Sequence, residues 1–160
     1  MNIQRTKILT SSQKQDLFEL WNKEYPRNLK YENIKDFEDY LMPLKDLNNI
    51  LLLDENEKIK GWYFDFLREN ERWFAVILDS NIQGQNFGTQ ILNLSKVENT
   101  ELNGWVIKSE TYLKDNGEPY NSPIEFYRKN GFKILEETKL ETDNISAIKV
   151  KWFKTGNNIG

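Results

Sequence analysis

Leu78-Asp79-Ser80-Asn81-Ile82-Gln83-Gly84-Gln85-Asn86-Phe87-Gly88-Thr89 joins an apolar run, Trp73 to Leu78, to an amphipathic one carrying Ile91, Leu92, Leu94 and Val97. The first run is apolar on both faces, as a central strand is, and the second has helical spacing. The loop therefore enters a helix from a strand. A helix start carries unpaired N–H groups and a partial positive charge. A loop wrapped around that end can aim several main-chain donors at one anion, with no basic side chain needed. Gly84 and Gly88 lack a Cβ and allow close approach of a ligand. An ordinary polar strand-to-helix connection with two glycines is the other reading.

Upstream, Ile3 to Leu9 alternates as a first strand. Ser12 and Gln15 have capping-box spacing before Leu17, Phe18, Leu20, Trp21 and Tyr25, and Pro26 closes that helix. Asn33 is positioned to cap a second helix with Ile34, Phe37, Tyr40 and Leu41, ended by Pro43. Asn49 to Leu53, Ile59 to Leu67 and Trp73 to Leu78 then read as an antiparallel meander, with turns at Asp54-Glu55-Asn56 and Glu69-Asn70.

Downstream, Gly104 to Ser109 is a strand and Glu110 to Asn121 a long polar segment, readable either as a lid over a substrate or as a disordered insertion. A helix near Ser122 to Lys129 follows. Lys133 to Leu140 and Ile145 to Phe153 form a closing hairpin around Thr142-Asp143-Asn144. The expected class is α+β, in the order β-α-α-β-β-β-α-β-α-β-β. One domain spans 1–154, with a flexible tail at 155–160.

Ser122-Pro123-Ile124-Glu125-Phe126-Tyr127-Arg128-Lys129-Asn130-Gly131-Phe132 is the second informative stretch. Ser122 and Glu125 have capping-box spacing, Pro123 suits the first helical position, and Gly131 suits the left-handed residue past the end. Phe126 and Phe132 read as core.

Composition narrows the chemistry. The 160 residues contain no Cys and no His, which excludes thiolate nucleophiles, histidine bases, serine–histidine triads and Cys/His metal sites. Proton transfer must use carboxylates, Tyr, Lys or water. With 22 basic against 25 acidic residues the net charge is −3, which gives no footprint for nucleic acid and weakly favours a cationic substrate. The N-terminus has no signal-peptide pattern, and the longest apolar run, Ile50 to Leu53, is far too short to cross a bilayer. A cytoplasmic, soluble protein with no membrane partner is expected.

Gln83-Gly84-Gln85-Asn86-Phe87-Gly88 resembles the cofactor motif of the GNAT superfamily of acetyl-CoA-dependent N-acetyltransferases. That motif is Gln or Arg, two residues, Gly, one residue, then Gly or Ala. Asn86 stands where the first motif glycine belongs, and Asn tolerates left-handed backbone. The family also carries a Phe-Tyr pair before a Gly-Phe, matched by Phe126-Tyr127 and Gly131-Phe132. Lys60-Gly61-Trp62 resembles the opening of its second meander strand. The likeness spans roughly residues 2 to 153 in element order.

The resemblance implies a mixed, mostly antiparallel six- to seven-stranded sheet with helices on both faces. It implies acetyl-CoA as cosubstrate, its diphosphate on the amides of Gln83, Gly84, Gln85, Asn86, Phe87, Gly88 and Thr89. Backbone groups of Leu78 and Ser80 would pair with the pantetheine arm in a gap between strands, and Asn121 would contact the cofactor. Tyr127 would act as general acid to the leaving thiolate, or only hydrogen-bond its sulfur or pack against the cofactor. A strand amide near Leu78 or Asp79 would stabilise the oxyanion. The reaction implied is direct acetyl transfer to an amine of a small molecule or peptide; the alternative is a non-catalytic acyl-CoA-binding or protein-interaction module. A homodimer fits similar proteins.

The family's base does not carry over, because Arg72, with Glu71 beside it, stands at its position. Glu110 is the preferred candidate base and Asp65 the second, against the reading of both as solvated carboxylates. Trp21, Tyr25, Tyr40, Trp62, Tyr63, Phe64 and Phe66 read either as core or as partial lining of the acceptor pocket.

Overall fold

The apolar run at Trp73 becomes the middle of a sheet. The computed structural model describes residues 1–155, so the expected tail lies outside the described residues from 156 onward. The strands are β1 (Asn2–Thr6), β2 (Lys45–Leu53), β3 (Ile59–Arg68), β4 (Glu71–Leu78), β5 (Glu101–Val106), β6 (Lys133–Glu141) and β7 (Ser146–Phe153). The helices are α1 (Ser11–Glu24), α2 (Ile34–Leu41), α3 (Phe87–Glu98) and α4 (Ile124–Lys129). The expected element order holds, and seven strands lie in the order β1-β2-β3-β4-β5-β7-β6. Every neighbouring pair is antiparallel except β4–β5.

Alternation along β4 divides two cores. Trp73, Ala75 and Ile77 pack with Leu17, Trp21, Phe37, Trp62 and Phe64 under α1 and α2. Phe74, Val76 and Leu78 face Ile91, Leu92, Tyr127 and Phe132 under α3 and α4. Trp62 is fully buried, and its indole N–H donates to Asn49 Oδ1 at 2.9 Å, which removes the cost of an unpaired buried donor.

Local chemistry sets the boundaries. Glu69 and Asn70 both take positive φ (51° and 64°), the conformation that matches a tight hairpin to strand twist. Gly61 is needed for packing, since a Cβ there would lie 2.8 Å from Leu78 Cδ2. Asn33 caps α2 as expected, accepting from Asp36 N–H at 2.9 Å.

Several expectations are corrected. The box on α1 is Thr10 with Gln13, not Ser12 with Gln15: β1 stops at Thr6, whose hydroxyl folds onto Ile8 N–H and O, and Thr10 follows in extended conformation. The box on α4 does not form. Pro123 is the cap, with ψ of 19°, so Glu125 stands one position too early and pairs with Arg128 instead. β5 begins at Glu101 rather than Gly104, because β7 pairs with it from Phe153 opposite Glu101 to Ile148 opposite Val106. The segment after β5 is an ordered hairpin: Lys114 N–H donates to Glu118 O, Gly117 N–H to Lys114 O, and Tyr120 N–H to Tyr112 O.

Candidate active site

The parallel pair β4–β5 has a single register position, Trp73 opposite Asn103. On its other edge β4 pairs with β3 along its whole length, from Glu71 to Leu78. The sheet therefore splits toward the end of β4. At the closed end side chains replace ladder bonds: Glu101 Oε2 accepts Arg72 N–H at 2.7 Å, and Asn103 Nδ2 donates to Arg72 O at 3.1 Å. Lys151 Nζ joins Glu71, Glu101 and Asn103 at 2.9–3.1 Å. Next to this clasp Trp73 and Trp105 stack at 5.2 Å.

Beyond the clasp, Asp79 N–H donates to Lys60 O at 2.8 Å, on the β3 side. Because successive backbone groups alternate, the N–H and C=O of Leu78 face the split. Leu78 O accepts from Gln83 Nε2 at 3.0 Å. Of the two amides expected near an oxyanion, only that of Leu78 faces the split. The Asp79 amide is committed to β3. The Ser80 N–H is committed too, to Glu24 Oε2 at 2.8 Å, and Ser80 turns out of the strand into a 3-10 turn.

After a 3-10 turn at Ser80–Ile82 the loop reaches Gly84 at φ +77° and Asn86 at φ 72°, ψ 6°. Asn86 thus takes the left-handed conformation that the motif glycine would supply, as its short polar side chain allows. Among the described residues no N–H from Gln83 to Thr89 donates a hydrogen bond, and the first α3 bond runs from Gln90 N–H to Asn86 O at 3.1 Å. Gln83, Gly84, Gln85 and Asn86 are exposed, and Phe87 and Thr89 are half-buried. The two glycines differ in role. A Cβ on Gly84 would meet nothing within 4 Å, whereas on Gly88 it would lie 2.8 Å from Phe126 Cζ. Gly88 serves packing between α3 and α4, not ligand approach. Main-chain donors at a helix start, beside an unpaired strand edge, fit a diphosphate with an amide-bearing arm.

Tyr127 is buried, with its ring edge-on to Phe74 at 5.7 Å and Phe132 at 5.4 Å. Among the described residues no fully buried polar side-chain atom lacks a partner, and the Tyr127 hydroxyl makes no hydrogen bond; it therefore reaches accessible space. Burial, then the neighbouring Tyr120, pushes its phenol far above the ordinary range. Tyr25 and Tyr120 are raised for the same reason, and Tyr25 also feels both other phenols. Three protonated phenols, from α1, the hairpin and α4, are thus gathered here. Such a phenol donates a hydrogen bond readily but gives up its proton reluctantly.

Glu110 is exposed, with no ion pair among the described residues, and Asn121 is exposed as well. Asp65 is not placed at the split. It is 3% exposed, and accepts from Tyr63 Oη at 2.5 Å, Asn48 Nδ2 at 3.1 Å and Arg72 Nη1 at 3.0 Å. It pairs opposite Phe74, near the closed end. Of the aromatic residues considered for an acceptor pocket, Trp21, Trp62, Phe64 and Phe66 are core. Tyr63 lies in the same cluster as Tyr127 under α3 and α4, Tyr40 packs against Trp21 at 5.5 Å, and Tyr25 packs edge-on against Trp21 at 4.5 Å.

The side-chain contacts that join Glu24, Lys23, Asp79 and Lys114 carry no sequence signal. Burial alone would raise the Asp79 carboxyl, but hydrogen bonds from Lys23 and Asn81 N–H outweigh it and hold it below the usual range. Two cavities of about 490 Å³ lie elsewhere, one beside Lys108, Lys139 and Ile148, the other beside Pro43, Phe66 and Arg68.

No family model and no curated protein matches the chain. Solved structures do. An aminoglycoside 6'-N-acetyltransferase complexed with coenzyme A is 14% identical, with a TM-score of 0.70 over 96% of this chain and 97% of that one. An aminoglycoside 6'-N-acetyltransferase from Enterococcus faecium gives 14% and 0.65, covering 96% and 97%. A spermidine N-acetyltransferase variant from Vibrio cholerae gives 13% and 0.61, covering 96% and 95%. The seven-stranded sheet, its helices on both faces and its split beside β4 make this chain a protein of the GNAT fold.

Proposed function

We infer that the chain is an N-acetyltransferase that moves an acetyl group from acetyl-CoA directly to an amine of a small molecule or peptide. The observation that carries this is the row of unbonded N–H groups at the start of α3, beside the unpaired edge of β4. The structural neighbours support it, one of them being a coenzyme A complex. Acetyl-CoA would supply an acyl group activated as a thioester. The amides of Gln83 to Thr89 would hold its diphosphate, and Leu78 O, which keeps one lone pair beside its bond from Gln83 Nε2, its arm.

The other roles belong to this chain's own side chains. Leu78 N–H stands ready for negative charge on a carbonyl oxygen, at no reorganisation cost. The Tyr127 hydroxyl donates a hydrogen bond to the leaving sulfur. Its raised affinity for the proton favours this over complete proton transfer, since a thiol titrates near ~8.5. Glu110, exposed after β5, is assigned to relay the amine proton to solvent. With no His in the chain, the neutral-pH rate profile follows the acceptor's own ionisation.

Acetyl-CoA turnover against an amine panel tests this, read as free thiol. Activity with at least one amine is expected, lowered about tenfold by Tyr127→Phe and two- to threefold by Glu110→Gln. A fall of about 10²-fold or more in Tyr127→Phe would make the phenol a true acid. Binding of acetyl-CoA with no turnover across the panel would leave a non-catalytic acyl-CoA module.

A further inference from the structure

Glu24 ends α1 and is only 4% exposed. A carboxylate here is unfavourable twice, because it is buried and because it meets the negative end of the helix dipole. Two donors compensate. Its Oε2 accepts Ser80 N–H at 2.8 Å, and its Oε1 accepts Lys114 Nζ at 3.0 Å. Lys23 Nζ lies 3.7 Å away and itself donates to Asp79 Oδ2 at 2.9 Å. The start of the loop is thus tied to the last turn of α1.

The same junction holds the hairpin of residues 112–120. Pro26 bridges Lys114, Arg27 N–H donates to Leu113 O at 2.8 Å, and the Arg27 guanidinium donates to Lys114 O at 3.1 and 3.2 Å. The hairpin ends at Tyr120, whose phenol is felt by those of Tyr25 and Tyr127. Glu24 touches both the loop backbone and the hairpin.

We propose that Glu24 is a positioning residue that latches the 112–120 hairpin to the start of the loop, so that a bound acyl-CoA orders the hairpin together with the loop. The latch rests on contacts of the free protein; its coupling to a ligand rests on the acyl-CoA reading.

Amide hydrogen exchange tests both. Without ligand, Glu24→Gln and Lys114→Met are each expected to quicken exchange at Lys114, Gly117 and Tyr120 about tenfold, the effect of one charge-assisted hydrogen bond. Trp62 and Phe64 amides are expected to stay unchanged. The double variant should go no further than either single, because one contact is lost in all three. Unchanged hairpin exchange in both singles, or a double equal to their product, overturns the latch. With saturating acetyl-CoA, wild type should slow at the hairpin as well as the loop, and Glu24→Gln at the loop alone. Protection of the wild-type loop with none at the hairpin overturns the coupling. Acetyl-CoA that slows nothing sinks the acyl-CoA reading, while the ligand-free comparison still decides the latch.

Discussion

The two sides of the β4 end are built by different means. On the α3 side the groups turned outward are unbonded main-chain amides, set by Gly84 and Asn86 at positive φ and by the first turn of a helix. On the α1 side the contacts are made by side chains: Glu24 meets Ser80 and Lys114, with the phenols of Tyr25 and Tyr120 close by. The first side needs only a few consecutive residues to be right. The second needs partners 56 and 90 positions apart to meet. A backbone cradle tolerates exchange of most side chains around it, whereas a side-chain site varies with each of them. The fold itself is shared with acetyltransferases at 13–14% identity.

Alkaline pH should break the contrast most forcefully. Burial holds the phenols of Tyr25, Tyr63, Tyr120 and Tyr127 protonated in the native state, and Tyr40 is pushed up to about 12. Their folded pKa values exceed the unfolded value near ~10, so the native state retains protons that the unfolded chain releases. Stability is complete below pH ~10 and falls as pH rises above it. Each deeply buried phenol, such as Tyr63 or Tyr127, steepens the loss by about 1.4 kcal/mol per pH unit. Cooperative unfolding above pH 10, followed by tyrosinate absorbance, is expected. Tyr25→Phe should move its midpoint upward; a downward shift would show that the α1 side does not hold its phenol neutral.

Gly88→Val should come next. It forces carbon into Phe126, costing about 1–3 kcal/mol, and displaces the start of α3. Thermal melting should show the loss, and acetyl-CoA should no longer raise the melting temperature. Full retention of that rise would detach the cradle from its packing on α4. The smallest effect is expected from Asn86→Gly. It restores the motif glycine at a left-handed position, so stability should change by less than about 1 kcal/mol and acetyl-CoA affinity should persist. A marked loss of affinity would mean that the Asn86 side chain itself contacts the ligand.

The same contrast governs what could be read in the sequence. The β4–loop–α3 unit was legible because an apolar strand, a glycine-bearing loop and a periodic helix are local signals. Gly131 was legible for the same reason, and it does take φ +86°, whereas Tyr127 was singled out by the family resemblance. The box at Ser12–Gln15 was misplaced because Thr10–Gln13 has the same spacing, and only the end of β1 chooses between them. Asp65 looked like an available carboxylate; its partners Arg72, Asn48 and Tyr63 come from strand pairing, which no local pattern shows. The pairing of Glu24 with Lys114 was invisible, as an acid in the last turn of a helix and a lysine in a polar loop ordinarily face solvent. The amides of Asp79 and Ser80 are spent on β3 and Glu24, a fact that belongs to the tertiary structure alone.

The most direct test of the account is an amide NMR titration with acetyl-CoA. Shifts concentrated at Leu78 and from Gln83 to Thr89 are expected, with a stabilisation of about 2.7 kcal/mol at 100 times the dissociation constant. Shifts centred instead on the cavity beside Lys108, Lys139 and Ile148, or none at all, would contradict it.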